Sequence, residues 1–242
     1  MIFLVLCQGE EVSFRGREKM RLLCVSDTTR SLAFSPNIKS IYGNTDIILS
    51  AGDMPLESFD YMATMLSRDV YYVYGNHNLK NFSRDMKKDR FPHSPMGDMN
   101  SKFYGYLMDG KCIRLKDSGL IMVGLGGSML YNGGDSQYSE REMEWRIRRL
   151  VPRLLYNKRR YGRYLDILVT HAPPYGMGDG EDLCHMGFKC FLSFMDRFQP
   201  RYLIHGHVHL DDYNAPRVTE YNKTKVVNVF GSYLIDDEML GG

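Results

Sequence analysis

The chain has 242 residues, 43% hydrophobic and 25% charged, with a formal net charge of +2. That length suits one large α/β domain or two small ones, and the near-balance of charge argues against a nucleic-acid polycation or an acidic tail protein. Five cysteines (Cys7, Cys24, Cys112, Cys184 and Cys190) are odd in number and lack C-x-x-C spacing, which fits free thiols in a reducing compartment better than a disulfide scaffold or a zinc ribbon.

The chain opens on MIFLVLCQGEE, an apolar run with no preceding positive charge and no small-residue cleavage site. It is too short to span a bilayer and reads as an extra strand. Residues 1–19 are taken as an N-terminal extension, either that strand or a stretch upstream of a true start at Met20. Residues 20–242 are taken as a single domain. No other stretch approaches transmembrane length, so a cytoplasmic protein with no membrane partner is expected.

Short apolar runs then recur, most of them ending on a polar residue. RLLCVS (21–26) stops at Asp27, DIILSAG (46–52) at Asp53, and VYYVYG (70–75) at Asn76. GLIMVGLGG (119–127) ends in a glycine turn, YLDILVT (164–170) stops at His171, RYLIHG (201–206) leads into His207, and VVNVFGS (226–232) is a late strand. Unbroken aliphatic runs of this length suit strands buried on both faces.

Between them lie three predicted helices. ESFDYMATMLSR (57–68) sets Phe59, Met62, Ala63 and Leu66 at helical spacing. SEREMEWRIRRLVPRLL (139–155) opens with the capping-box pair Ser139 and Glu142 and carries a stripe of Met143, Ile147, Leu150, Val151 and Leu154. GFKCFLSFMDRFQP (187–200) ends before Pro200. The stretch 78–103, rich in Met, Lys and Asp, is expected to be a long surface loop. Periodicity alone supports an α/β fold with buried strands.

The residues at the strand ends are Asp27, Asp53, Asn76 with His77, His171, and His207 with His209. In an open α/β sheet, residues just past the carboxyl ends of strands gather in one crevice. Two carboxylates, an amide oxygen and three imidazoles form a mixed oxygen and nitrogen cage suited to Mn, Fe or Zn. Asp53 stands midway and can bridge two ions. Two cations roughly 3.5–4 Å apart clamp both the attacking and the leaving oxygen of a phosphoryl displacement. On that reading Asn76 faces the metal, while His77 faces the substrate and assists the leaving group, by protonating its oxygen or by neutralising charge on the phosphoryl group.

GD at Gly52-Asp53, GNH at 75–77, VTHAPP around His171 and GHVH at 206–209, in this order and each at a predicted strand end, resemble the calcineurin-like metallophosphoesterase superfamily. GLGGS (124–128) before the SERE helix, and HMGFK (185–189), resemble its smaller Icc-related branch. The resemblance runs from about Met20 to Ser232. It implies a four-layer α/β/β/α sandwich of two mixed sheets and a phosphoesterase acting through a metal-bridging hydroxide on a small phosphorylated substrate. It also implies two divalent ions, with Mn preferred over Fe, Zn or Mg. One ion falls to Asp53, Asn76, His171 and His207, the other to Asp27, Asp53 and His209.

Two positions depart from the family pattern. The family carries D-x-H where this chain reads DTT, so Thr29 stands in place of a ligand histidine and weakens the ion at Asp27 and His209. Asn78 replaces a usual acidic residue beside His77. A mononuclear or catalytically weak metal and phosphate binder is therefore the rival reading.

Other features are weighed against blander roles. His207 and His209 alternate on an extended segment and so share a side; His205 shares that parity but is read as structural, with Gly206 turning the chain after it. His185 is an ordinary loop histidine or part of a substrate-proximal flap. The run of arginines from Arg141 to Arg163 reads as a solvated helix face ahead of a nucleic-acid surface. GLGGS lacks the third glycine and downstream acid of a dinucleotide fingerprint.

Overall fold

The computed structural model describes residues 19–27, 35–77, 105–210, 216–238 and 240. The predicted loop 78–103, residues 1–18 of the N-terminal extension, Thr29 and Asn78 lie outside the described residues.

Alternation along each strand generates two packed sheets. In the first, β1 (Met20–Ser26), β2 (Ile47–Ser50), β3 (Val70–Tyr72) and β4 (Gly105–Leu107) run parallel, with β13 (Gly231–Asp237) antiparallel on the β1 edge. In the second, β6 (Ile121–Leu125), β9 (Ile167–Thr170), β10 (Tyr202–His205) and β12 (Thr224–Asn228) are parallel. Antiparallel β5 (Cys112–Arg114) and β11 (Val218–Tyr221) flank them. β7 (Ser128–Met129) and β8 (Gln137–Tyr138) form a small parallel pair.

Leu22, Cys24, Leu49 and Val73 of the first sheet meet Met122, Val169, Ile204 and Val227 of the second in the central core. The opposite pleat of the first sheet, Leu23, Val25, Ile48 and Val70, packs on α1 (Ile38–Tyr42) and α2 (Leu56–Leu66) through Ile38, Phe59, Met62 and Leu66. Ile121, Val123, Leu168 and Leu203 of the second sheet pack on α3 (Glu140–Tyr161) and α4 (Lys189–Phe198). Strands covered on both faces have no solvated side, which is why their sequences do not alternate. The layers are α/β/β/α, as the resemblance implies.

Both halves of the predicted capping box form. The Ser139 side chain accepts from the Glu142 amide and the Glu142 carboxylate accepts from the Ser139 amide, at 2.8 Å for the latter. α3 continues six residues beyond its predicted end, to a left-handed Gly162 at φ 79° that closes it. α4 starts at Lys189, two residues later than predicted, because Glu140 of α3 caps it by accepting from the amides of Lys189 and Cys190 at 3.2 and 2.5 Å.

The carboxyl ends of β1, β2, β3, β9 and β10 meet at one edge of the sandwich. Backbone hydrogen bonds join the loops there: Asp27 N–H to Gly52 O at 3.2 Å, Gly206 N–H to His171 O at 3.0 Å, and Gly127 N–H to Tyr74 O at 2.8 Å.

Candidate metal centre

Asp27, Asp53 and His171 each turn a ligand atom inward, and these atoms lie within 4.8 Å of one another. The backbone is bent to achieve this: Asp27 and Asp53 both take a left-handed conformation at φ 51° immediately past their strands. Non-glycine residues held in that region are uncommon and gather at functional sites. Two glycines permit the close approach. A β-carbon on Gly75 would strike the Asp53 carboxylate, and one on Gly206 would strike the Asp27 carboxylate and the Ser26 hydroxyl.

His171 lies fully buried between the sheets. Its Nδ1 is 2.8 Å from the Ala51 carbonyl, which can only accept, so Nδ1 carries a hydrogen. Nε2 then faces two more acceptors, Asn76 Oδ1 at 3.0 Å and Asp53 Oδ2 at 3.3 Å. Three lone-pair atoms pointed at one spot need a proton or a cation between them. The donor set of Asp53, Asn76 and His171 therefore fits a divalent cation. Burial alone would push the His171 imidazole down, but the Asp53 charge and hydrogen bond raise it to about 9. Burial likewise pushes the Asp53 carboxyl up; the charge and hydrogen bond of His171, together with the His77 amide and ring, outweigh it and hold Asp53 below the usual carboxylate range.

His207 joins this cluster, its ring centroid 4.7 Å from that of His171. Its Nε2 lies 2.7 Å from the Cys184 carbonyl, so Nε2–H donates and Nδ1 keeps the free lone pair. Burial, then the charge of His171, lowers its pKa to about 4 and keeps the ring neutral, as a metal ligand requires.

The alternation expected through 205–209 does not occur. β10 ends at His205, and His207 sits at φ 67°, so the segment is a turn rather than an extended strand. The physical reason is the pull of Asp27, whose Oδ2 accepts from the His207 amide at 2.8 Å. His209 still reaches Asp27, with Nε2 3.8 Å from Oδ1, while its ring is largely exposed and tilted against Phe230. The Asp27 carboxylate beside it raises its pKa. His205 is buried, 1% exposed, with Nδ1 3.1 Å from the Gly206 carbonyl.

His77 is exposed at the rim, and its amide donates to Asp53 Oδ1 at 2.9 Å. His185 lies 5.2 Å from the His207 ring, its Nδ1 2.8 Å from Asp182 Oδ2. Asp182 also accepts from the amides of Cys184 and His185 at 3.0 and 3.1 Å, which shapes this turn.

Three contributors carry no signal in the sequence: the carbonyls of Ala51 and Cys184, and Tyr131, whose hydroxyl accepts from Asn76 Nδ2 at 3.1 Å. A backbone carbonyl has no residue signature. Tyr131 lies in an otherwise unremarked turn after the glycine-rich GLGGS segment.

A family model described as calcineurin-like phosphoesterase matches residues 20–211. Among solved structures, TT1561 of Thermus thermophilus aligns at a TM-score of 0.54 and 12% identity, over 88% of this chain and 89% of that one. The sulfate thiohydrolase SoxB of Thermus thermophilus, in complex with glycerol, aligns at 0.40 and 12% identity, over 85% of this chain but 41% of that one. No curated protein matches.

Proposed function

Because the chain belongs to the calcineurin-like phosphoesterase family, we propose that it is a metal-dependent hydrolase of a small phosphomonoester or phosphodiester. The convergence of Asp27, Asp53 and His171 at the shared edge of both sheets carries this reading. Asp53, Asn76, His171 and His207 hold one divalent cation, Mn by preference, and Asp27, Asp53 and His209 hold a second. Cations there supply Lewis acidity toward phosphoryl oxygens and acidify a water for attack. His77 gives its proton to the departing oxygen, its backbone anchored by Asp53 and its ring open to the substrate. Four free thiols among the described residues suit a cytoplasmic setting.

The basic run on α3 does not supply the substrate site in this reading. Arg146 and Arg163 are committed to Asp109 and Asp166 at 2.5 and 2.6 Å.

A second reading, a single tight ion with weak turnover, is favoured by the surroundings of Asp27. One of its oxygens is taken by the His207 amide, and its imidazole partner His209 is largely exposed. Hydrolysis of p-nitrophenyl phosphate and bis-p-nitrophenyl phosphate with Mn, alongside metal content per chain, separates the two. Two ions and turnover that falls at least about 100-fold in Asp53→Asn and His77→Ala are expected. Turnover untouched by either substitution would overturn the mechanism, and one ion without turnover would select the binder.

A further inference from the structure

We propose that Tyr131 is a positioning residue of the metal centre, whose hydroxyl fixes the Asn76 amide so that Oδ1, and not Nδ2, faces the cation. The proposal rests on the reading above, in which Asn76 is a ligand.

A side-chain amide has one end that attracts a cation and one that repels it, and the two ends are nearly the same size. Asn76 is 1% exposed, so water does not select its orientation. On one side Oδ1 lies 3.0 Å from His171 Nε2, and on the other Nδ2 donates to the Tyr131 hydroxyl oxygen at 3.1 Å. The phenol oxygen meets Asn76 as an acceptor, and an acceptor is satisfied by the NH2 end of the amide.

Cys184 acts on a second ligand, His207. Its carbonyl accepts from His207 Nε2 at 2.7 Å and so selects the tautomer of that ring. Tyr131 and Cys184 together thus orient two of the four ligands assigned to one cation.

The loop that carries Tyr131 is itself built. Gln137, 8% exposed, accepts through Oε1 from the amides of Tyr131, Asn132 and Gly134 at 3.3, 3.2 and 3.3 Å, and donates to Asn132 Oδ1 at 2.8 Å. A side chain presented on such a loop has little freedom to leave its partner.

The test is a double-substitution cycle read by calorimetric Mn binding to the full chain. Tyr131→Phe removes one oxygen and keeps the ring; its thermal midpoint checks that the fold persists. We expect it to weaken Mn binding about tenfold or more, the usual cost of losing a group that orients a ligand. In an Asn76→Asp background both ends of the side chain are oxygens, so there is nothing left to orient. There Tyr131→Phe should change Mn affinity by less than about twofold. Equal losses in both backgrounds would make Tyr131 a packing residue, and no loss in either would remove it from the centre; both overturn the proposal. If the unsubstituted protein fails to bind Mn, the metal-centre reading falls instead, so the two failures are distinguishable.

Discussion

His171 is the residue through which pH acts most directly on the centre. It keeps its proton to about pH 9 in the metal-free fold, against an ordinary value of 6.5, because Asp53 offsets the burial of the ring. A cation held by His171 as proposed would have to displace that proton. Apparent Mn affinity is therefore expected to rise from pH 6.5 to pH 8.5, by about tenfold per unit while one proton is released. Calorimetry at three pH values checks this, and a flat profile would mean a ring already neutral. For stability the signs differ between residues. The raised His171 value contributes stability that is full below pH 6.5 and is lost as pH rises through about 9. His205 and His207, both lowered chiefly by burial to about 4, contribute stability that is present above 6.5 and is lost as pH falls toward 4. Thermal melts of metal-free protein from pH 6.5 to 4.5 should show that loss. His205→Asn, which has no ring to protonate, should reduce it.

At the scale of the element, strand ends and helix starts were legible to different degrees. Asp27, Asp53, Asn76 and His171 each follow a buried run, and parallel strands carry them to one edge. The conformations that aim them are set by contacts from elsewhere. Gly75 must stay bare because the Asp53 carboxylate occupies the space of its missing side chain. Gly75→Ala is expected to leave the fold intact and to weaken Mn binding at least about tenfold, since Asp53 has to move. Unchanged affinity on calorimetry would show that Asp53 is not a ligand. Helix α3 behaves oppositely, because its start is written locally. Ser139→Ala should cost about 1 kcal/mol in denaturant unfolding and leave Mn affinity alone. The start of α4 is not local at all: its cap is Glu140, 49 residues before Lys189. No window of sequence around Lys189 contains that carboxylate.

Across the whole molecule, the metallo-dependent phosphatase fold joins two sheets whose strand ends supply different halves of one site. Asp27, Asp53 and Asn76 come from the first sheet, His171 and His207 from the second. An unfolded chain holds no such arrangement, so a cation held by these residues would bind the native state alone. At one hundred times its Kd, Mn should then stabilise the protein by about 2.7 kcal/mol. Thermal midpoints across a Mn series test this, with Asp53→Asn expected to show no rise. A matching rise in that variant would place the binding elsewhere. The sequence by itself determined the buried strands, the helical stripes, the α3 capping box and the identities of the strand-end residues, because period and local chemistry are properties of neighbours along the chain. Only the tertiary structure decided that His207 turns out of the strand, that the carbonyls of Ala51 and Cys184 select the imidazole tautomers, and that Tyr131 meets Asn76. Those contacts join residues 23 to 120 positions apart, and their partners become neighbours only in the folded chain.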